Sequence, residues 1–332
     1  MMEDQIARFP SQFEWEPELI RGEKLLTNTP VVVCGMGGSH LGARLLSLDP
    51  SCPPLLVHSD YGLPKLPAVW ATTALYIASS YSGETEETLD AAKAVLAKGY
   101  PLAVIAAGGK LEALAEEHAL PFIKLPKENM EPRMTMGYQM IAFARLFQNK
   151  ALEDAARAAG KAASLSETKV RGAELARIIE GQVPFFYASN QNFAIAYHLK
   201  ASINETGKIP AMFNVVPELC HNELSGYTSK STAVLPVFLD DDADDVRTRA
   251  RMSLIRDVLK EQGVPTATFP IEGSSPLHKA LSFVLIGNYA GAVIAAKLGV
   301  PDAETPLIGD FKKRLADLIL CYLSTWVGPI RA

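Results

Sequence analysis

The sequence predicts an α/β protein built from two similar units, each a parallel sheet flanked by helices on both faces. Short apolar runs alternate with helical stretches along the first 150 residues, and the alternation restarts near residue 183. The length of 332 residues suits two domains of about 150 residues each. We therefore expect one domain over residues 1–150 and a second over residues 151–332.

In the first half, five apolar runs have the length and composition of buried strands. A glycine-rich turn follows the first run and a hydroxyl-rich turn follows the third, and each leads into a helical stretch. The predicted strands are TPVVVCG, PPLLVHSD, TALYIASS, PLAVIAAGG and PFIKLP, and the predicted helices are HLGARLLSL, LDAAKAVLAK and MGYQMIAFARLFQ. A charged helical stretch, ALEDAARAAGKAASLSETKVRGAELARIIEG, then bridges the two halves.

The second half repeats the pattern of strands and helices. Its predicted strands are VPFFYASN, TAVLPVFLD and TATFPIEG, and its predicted helices include NFAIAYHLKASINETG and DDADDVRTRARMSLIRDVLKEQG. The acidic run that opens the latter helix indicates a helix N-terminus on the surface rather than a metal site. The most apolar stretch, FVLIGNYAGAVIAAKLG, is interrupted by Asn288 and two glycines. It is shorter than the roughly 20 residues of a membrane span, and it predicts a buried helix.

Charge and cysteine usage exclude several classes of function. The net charge is −5 with an isoelectric point near 5.8, and no basic run could follow a nucleic acid backbone. The four cysteines form no CxxC pair, so we expect neither zinc nor a redox pair but thiols in a reducing compartment. The acidic N-terminus does not resemble a signal peptide. We therefore expect a cytoplasmic protein without membrane or nucleic acid partners. The cysteines are Cys34, Cys52, Cys220 and Cys321.

Two strand-to-helix turns carry the residues expected to bind an anion. The turns are CGMGGS and ASSYSGETEET, and ligands of parallel sheets bind outside the carboxyl ends of strands. Helix N-termini offer unpaired N–H groups, and glycine lets the backbone approach a ligand closely. One hydroxyl at such a turn is usually a helix cap, but four exceed that need. We therefore predict a phosphate site, while the spacing of a dinucleotide fingerprint and of a P-loop is absent. The candidate residues are Gly37, Gly38, Ser39, Ser80, Ser82 and Thr85.

These motifs together resemble a known family. GMGGS followed by SYSGETEET is similar to the sugar isomerase (SIS) fold. NETGKIPAMFNVVPELCHNELSGY and TPLIGDFKKRLA resemble the bifunctional phosphoglucose/phosphomannose isomerases of archaea and some bacteria. The resemblance extends from about residue 15 to about residue 320 and implies two SIS subdomains in a homodimer whose active sites are shared between subunits. It also implies interconversion of glucose 6-phosphate, and of mannose 6-phosphate, with fructose 6-phosphate through a cis-enediol, without metal or organic cofactor.

The resemblance assigns the proton-transfer chemistry to residues of both halves. Glu205 in NETGK matches the family's catalytic glutamate, the base that moves a proton between C1 and C2. Arg133 in MEPRMTMG matches an arginine suited to stabilising the enediolate oxygen, because its charge is permanent. His221 in PELCHNE matches a histidine that typically enters the site from the partner subunit and opens the sugar ring.

The C-terminal segment contributes a lysine and a threonine. Lys312 in GDFKKRL matches the family's catalytic lysine, and the adjacent Lys313 is a competitor. Neighbours on a helix are about 100° apart, so only one of the two can face the site. The family links a threonine at the position of Thr305 to acceptance of the mannose epimer. The sequence departs from the family at Glu84, which replaces an asparagine in the phosphate turn, and we expect its carboxylate to point away or to bind a backbone amine.

Two other functions remain open from sequence. A regulatory SIS module would bind a phosphosugar without turning it over, and would need the hydroxyl turns but not Glu205, Arg133, His221 and Lys312 together. An amino-sugar phosphate isomerase would be preceded by a glutamine-hydrolysing domain, which we do not find in this sequence. The presence of all four candidate catalytic residues favours the isomerase.

Overall fold

The computed structural model describes residues 1–26, 29–228 and 234–325, apart from the side chains of residues 316, 317 and 319–325. Ten strands and twelve α-helices lie in the described part. The strands are β1 Leu19–Ile20, β2 Val31–Gly35, β3 Leu55–His58, β4 Leu75–Ser80, β5 Leu102–Ala106, β6 Phe122–Lys124, β7 Val183–Ser189, β8 Met212–Val216, β9 Val234–Asp240 and β10 Ala267–Pro270. The helices are α1 Met2–Ala7, α2 Gly38–Leu46, α3 Ala68–Thr73, α4 Glu86–Ala97, α5 Gly109–Glu117, α6 Met136–Leu146, α7 Lys150–Ala162, α8 Leu165–Ile178, α9 Phe193–Glu205, α10 Val246–Glu261, α11 Pro276–Leu298 and α12 Pro306–Thr325.

The strands form two sheets, which confirms the predicted α/β class. The first sheet has the order β1-β6-β5-β4-β2-β3, and the second has the order β10-β9-β7-β8 with all strands parallel. One strand differs from the expected parallel arrangement, because β1 pairs with β6 antiparallel. This two-residue strand lies at the edge, where it covers backbone groups of β6 that would otherwise be unpaired.

In each sheet the chain reverses its direction of winding at one pair of strands. In the first sheet the reversal lies between β2 and β4, and in the second it lies between β7 and β9. Such switch points leave a crevice at the carboxyl ends of the strands, where ligands of open α/β sheets bind. The two turns that carry the predicted phosphate residues follow β2 and β4, so both open onto the same crevice.

Strand β8 is missing from the sequence prediction. Its residues, Met212–Val216, lie at the edge of the second sheet; Met212 is exposed, the next three are partly buried, and Val216 is buried. A half-buried edge strand interrupted by Asn214 lacks the continuous apolar run that identifies buried strands.

Helix α11 forms the centre of the core. It packs against α8 and α9, and most of its side chains are buried. Among the described helices it alone is long and apolar enough to cross a membrane, but 72% of its most apolar window is buried inside the protein. The prediction of a buried core helix is therefore confirmed. Asn288 lies in this helix and is completely buried.

The predicted bridging stretch consists of two helices rather than one. Helix α7 ends at Ala162, and α8 begins after Ser164, whose side chain accepts a hydrogen bond from the backbone N–H of Glu167. Glu153 on α7 is buried and forms ion pairs of 2.8 Å with Arg145 of α6 and with Arg157. Burial alone would raise the pKa of Glu153, but hydrogen bonds from the two arginines outweigh it and hold the pKa at about 2.

The acidic run before α10 is only partly at the surface, so that prediction was wrong in part. Asp245 caps α10 by accepting a hydrogen bond from the backbone N–H of Arg247 (2.9 Å). Asp241 and Asp244, however, are buried. Their carboxylates bind polar side chains at the switch point of the second sheet, as described below.

The cysteines follow the expectation where the structure describes them. Cys34 is buried, Cys52 and Cys220 are partly buried, and all three are free thiols. Cys321 lies among the side chains outside the described part.

Candidate functional site

The two predicted anion-binding turns are in direct contact. The Ser79 hydroxyl donates to the backbone carbonyl of Ser39 (2.7 Å), and the backbone N–H of Tyr81 donates to the Ser39 hydroxyl (3.0 Å). Gly35 at the end of β2 lies beside Ser79 in register. Ser39 is thus buried as the link between the two turns, and it presents its hydroxyl to the backbone rather than to an open space.

The hydroxyl groups of the second turn form a cluster. The Ser80 hydroxyl lies 2.8 Å from that of Thr85 and 3.5 Å from that of Ser82. Thr85 is the N-cap residue of α4, yet its side chain makes no cap hydrogen bond. Helix capping therefore does not explain the Thr85 hydroxyl, whereas the hydroxyls of Ser80 and Ser82 also accept hydrogen bonds from the backbone N–H groups of Gly83 (3.1 Å) and Glu84 (3.2 Å). Hydroxyls that bind one another at a helix N-terminus can exchange those contacts for the oxygens of an anion.

Two glycines shape the backbone around the cluster. Gly83 has a φ of +70°, and a Cβ added there would lie 1.8 Å from the carbonyl oxygen of Gly108. Only glycine fits this close approach. Gly37 has a φ of +51° and no heavy atom within 4 Å of an added Cβ, so its backbone is open on that side.

Glu84 points away from the hydroxyl cluster, as expected from sequence. Its carboxylate accepts a hydrogen bond from the backbone N–H of Lys110 (3.0 Å) and pairs with the Lys110 ammonium (2.8 Å). The hydrogen bond from Lys110 lowers the pKa of Glu84. The carboxylate is therefore occupied at the start of α5 and does not compete with an anion in the turn.

Arg133 connects the glycine-rich turn with Glu205. A Cβ added to Gly38 would lie 2.8 Å from the backbone nitrogen of Arg133, so the first turn packs directly on this arginine. Its Nη1 lies 3.4 Å from a carboxylate oxygen of Glu205, at the C-terminal end of α9. The structure thereby brings the two candidate anion-binding turns, Arg133 and Glu205 into continuous contact.

The guanidinium of Arg133 is almost fully buried and makes five hydrogen bonds, as many as it has N–H groups. Nη1 donates to Glu131 and Glu205, each at 3.4 Å, and Nε donates to the Thr206 hydroxyl at 3.3 Å. Nη2 donates to the backbone carbonyls of Asp302 (3.3 Å) and Ala303 (2.7 Å). Burial lowers the pKa of Arg133, and the Glu205 and Glu131 carboxylates oppose that effect. The bonds to the two carboxylates, at 3.4 Å each, are slightly the longest of the five.

The segment before α12 is held by two cations. Arg133 binds the carbonyls of Asp302 and Ala303, and the Lys208 ammonium donates to the carbonyls of Glu205 and Glu304. Thr305 follows directly and is half-buried. Lys208 and Arg133 thus hold this threonine segment against the end of α9 that carries Glu205.

The remaining two candidates are not brought into contact with Glu205. Lys312 and its competitor Lys313 lie on α12 and are both exposed, so which of them serves the site stays a prediction. His221 ends the short 3-10 helix Glu218–His221 after β8 and is exposed, and its side chain makes no hydrogen bond with any residue that the structure describes. The two hydroxyl turns, Arg133 and Glu205 are thus assembled within one chain, whereas His221 is not.

Sequence reasoning missed three residues that support this site. Lys208 and Thr206 lie within the quoted NETGK motif, but neither was assigned a role. Asn288 was visible as a polar interruption of the most apolar helix, and it accepts a hydrogen bond from the Thr206 hydroxyl (2.9 Å). A buried amide in an apolar helix needs a partner, and that requirement is the signal that could have identified it.

The corresponding crevice of the second sheet is filled by the protein's own side chains. The Ser189 hydroxyl and the Asn192 amide donate to Asp244 at 2.6 and 3.1 Å, and Asn192 also donates to Asp241 (3.2 Å). Lys279 pairs with Asp241 (2.6 Å). Carboxylates thus bind the polar side chains of this crevice, whereas the hydroxyls of the first crevice bind one another and backbone N–H groups. Of the two described crevices, the first alone offers an anion site of that kind.

Comparison with known proteins identifies the family of this chain. Residues 168–315 match the family model of the bacterial phospho-glucose isomerase C-terminal SIS domain. A bifunctional phosphoglucose/phosphomannose isomerase of Caldicellulosiruptor bescii is 33% identical over 311 residues, which cover 87% of this chain and 90% of that protein. The chain belongs to the bifunctional phosphoglucose/phosphomannose isomerase family. A family member from Aquifex aeolicus is 30% identical over 93% of this chain and 97% of its own length.

The fold of this isomerase-family chain also matches solved structures. The crystal structure of a hypothetical protein from Thermus thermophilus has a TM-score of 0.67 at 19% identity, over 96% of this chain and 88% of that one. At this identity the likeness concerns the fold alone. It agrees with the SIS architecture expected from the motifs, whereas the boundary between the two domains at residue 150 stays a prediction.

Proposed function

We propose that this chain is an aldose–ketose isomerase that interconverts glucose 6-phosphate and mannose 6-phosphate with fructose 6-phosphate. The observation that carries the proposal is the contact of Arg133 with both Glu205 and the glycine-rich turn, in a member of the bifunctional isomerase family. A base is thereby placed beside a permanent cation, and both adjoin a hydroxyl cluster that suits a phosphate. This is the set of groups that moving a proton between adjacent sugar carbons needs.

The phosphate binds at the hydroxyl cluster in this proposal. Ser80, Ser82 and Thr85 supply hydroxyl donors, and the N-terminal N–H groups of α4 add the positive end of a helix dipole. The backbone at Gly37 and Gly38 closes the other side of the crevice. A site built this way holds a dianion without a dedicated cation in the turn, because Lys110 is paired with Glu84.

Glu205 transfers the proton between C1 and C2. Its carboxylate is partly exposed, with 28% of the side chain accessible, so it can reach a sugar bound beside it. It removes the proton from C2 of the open-chain aldose, and the C1 oxygen then carries the negative charge of the enediolate. The proton returns to C1, and the hydroxyl proton on the C2 oxygen passes to the C1 oxygen, which leaves the ketose. Arg133 stabilises that oxygen, for which it exchanges one of its two long bonds to carboxylates.

His221 acts in ring opening from the partner subunit of a homodimer. Its side chain is exposed and makes no hydrogen bond to described residues, so it is available to another chain's site. Helix α12 supports an association of subunits, because Leu307 and Phe311 are 85% and 62% exposed. Apolar side chains that are exposed to this extent on one helix indicate an interaction surface.

The segment around α12 also contributes to the sugar site in this proposal. Lys312 on α12 lies near the sugar, and Thr305 leaves room for the mannose epimer.

The same proposal places the enzyme in the cytoplasm. Three free thiols, at Cys34, Cys52 and Cys220, fit a reducing compartment.

The non-catalytic regulatory alternative is not favoured. The relatives of the chain in Caldicellulosiruptor bescii and Aquifex aeolicus are both named as isomerases.

The decisive experiment compares two carboxylates that lie at the same distance from Arg133. Glu205→Gln removes the proposed base, and Glu131→Gln removes the other carboxylate at 3.4 Å. Purified wild-type protein should form fructose 6-phosphate from glucose 6-phosphate and from mannose 6-phosphate in the presence of EDTA. Loss of a general base lowers turnover by about 10²–10⁴-fold, so Glu205→Gln should lose activity to that extent while Glu131→Gln retains most of it.

Full activity of Glu205→Gln would refute the assignment of the base. Turnover of glucosamine 6-phosphate in place of both neutral sugars would instead support an amino-sugar phosphate isomerase. Binding of glucose 6-phosphate without any turnover would support the regulatory alternative.

A further inference from the structure

A continuous set of buried polar side chains extends from Arg133 into the apolar core. It comprises Thr206, Asn288, Ser202 and His198, and we call it, together with Arg133, the Arg133 network. Each of its five residues is at least 97% buried. Polar groups at such depth cost free energy unless they are hydrogen-bonded, so a set of five needs an explanation.

The hydrogen bonds of the Arg133 network have one consistent direction. Arg133 Nε donates to Thr206 Oγ1 (3.3 Å), and the Thr206 hydroxyl donates to Asn288 Oδ1 (2.9 Å). The Asn288 amide nitrogen donates to the Ser202 hydroxyl (3.4 Å) and to the carbonyl of Val284 (2.8 Å). Because a guanidinium only donates, it fixes Thr206 as the acceptor and so orients every later group.

The network ends on a neutral histidine. Ser202 accepts from Asn288, so its own proton is free to bond His198 Nδ1 at 3.3 Å. Burial, with the nearby charge of Arg133, lowers the pKa of His198 to about 3. The ring is therefore neutral near pH 7 and can accept the serine proton. No second charge is needed to complete the network.

We propose that Thr206 and Asn288 are positioning residues that fix the guanidinium of Arg133, and through it the Glu205 carboxylate, for the isomerase reaction. The inference rests on the function proposed above. The four other N–H groups of Arg133 bind Glu131, Glu205, Asp302 and Ala303, and its Nε has only Thr206 as a partner in the described structure.

Removal of the Thr206 hydroxyl would leave a buried N–H of Arg133 without an acceptor. An unpaired donor at that depth is costly, so the guanidinium would turn toward another oxygen. The bond from Nη1 to Glu205 would change with it, because Nε and Nη1 belong to one rigid, planar guanidinium. The proposed enediolate site would then be misplaced, although no residue in contact with the sugar has changed.

The test uses Thr206→Val, which keeps the shape of the side chain and removes its hydroxyl, and Thr206→Ser, which keeps the hydroxyl. The matched control is Thr168→Val, because Thr168 is also a buried threonine and its hydroxyl donates to the carbonyl of Ser164 (2.6 Å). Steady-state kinetics with glucose 6-phosphate are measured for each variant beside the wild type, together with circular dichroism and thermal unfolding. Thr206→Ala takes the place of Thr206→Val if the valine variant does not fold.

Thr206→Val should lower kcat by about 10- to 100-fold with KM within about threefold of the wild type, since the loss concerns the transition state. Thr206→Ser should recover kcat to within about threefold, and Thr168→Val should match the wild type. A merely structural role would reduce the fraction of folded protein without separating kcat from KM, and it would not distinguish the two buried threonines. The proposal would be overturned if Thr206→Val had the same kcat as an active wild type. It would also be overturned if the kcat of Thr206→Ser were no higher than that of Thr206→Val. An inactive wild type would instead contradict the isomerase function itself.

Discussion

Thr85→Val tests the hydroxyl cluster as the phosphate site, because it removes one hydroxyl and keeps the shape of the side chain. The Thr85 hydroxyl lies 2.8 Å from that of Ser80 and makes no cap hydrogen bond to α4. A hydrogen bond to a charged group contributes about 1.5–3 kcal/mol. Affinity for a phosphate should therefore fall about 10- to 150-fold.

Thr88→Val is the matched control for this prediction. Thr88 lies three residues further along the same helix, and its buried hydroxyl has no hydrogen-bond partner in the described structure. Its replacement by valine removes a hydroxyl outside the cluster, so phosphate affinity should stay at the wild-type value.

The assay is competitive inhibition by inorganic phosphate, measured beside KM for glucose 6-phosphate. Inorganic phosphate reports on the anion site alone, whereas KM also includes contacts with the sugar. A Thr85→Val enzyme whose inhibition constant equals that of the wild type would refute the phosphate assignment. Equal weakening in Thr85→Val and Thr88→Val would refute it as well, because the effect would then come from a disturbed helix.

Two further predictions concern pH and the partner subunit. Glu153→Gln should lower the free energy of unfolding at pH 7 by about 3 kcal/mol, since the pKa of this carboxyl falls from 4.5 to about 2 on folding. The difference in free energy of unfolding between the two proteins should shrink as pH falls from about 4.5 toward 2, because the wild-type carboxylate becomes protonated. Urea unfolding that gave the same difference at pH 7 and at pH 3 would contradict this. If His221 serves the partner's site, inactive Glu205→Gln and His221→Ala proteins should regain activity when unfolded together and refolded as a mixture. No recovery in mixed dimers of demonstrated stability would place the histidine in its own chain's site.

The first half of the fold was predictable because its signals are local. Each buried strand is a continuous apolar run, and the turns after β2 and β4 carry glycines and hydroxyls that fit few other structures. Parallel pairing then brings Gly35 and Ser79 into register without further assumption. Strand β8 was missed for the opposite reason, since an edge strand is only half-buried and lacks the apolar pattern.

The support of the site was not predictable from local pattern. Arg133 and Thr206 are 73 residues apart, and Thr206 and Asn288 are 82 apart. Which polar residue meets which depends on how α9 and α11 pack, and no periodicity encodes that pairing. The surface position predicted for Asp241 and Asp244 was wrong for a related reason. An acidic run before a helix does not show locally that its carboxylates will be buried in hydrogen bonds with Ser189 and Asn192.

Arg133 has no free N–H group, and this restricts which ligand atoms can bind beside it. Any oxygen of the sugar that approaches Arg133 must displace a protein oxygen already in place. A neutral hydroxyl gains little by such an exchange, whereas an oxygen bearing a full negative charge gains much more. The saturated guanidinium therefore discriminates by charge. It stabilises the charged enediolate more than it stabilises either of the two neutral open-chain sugars.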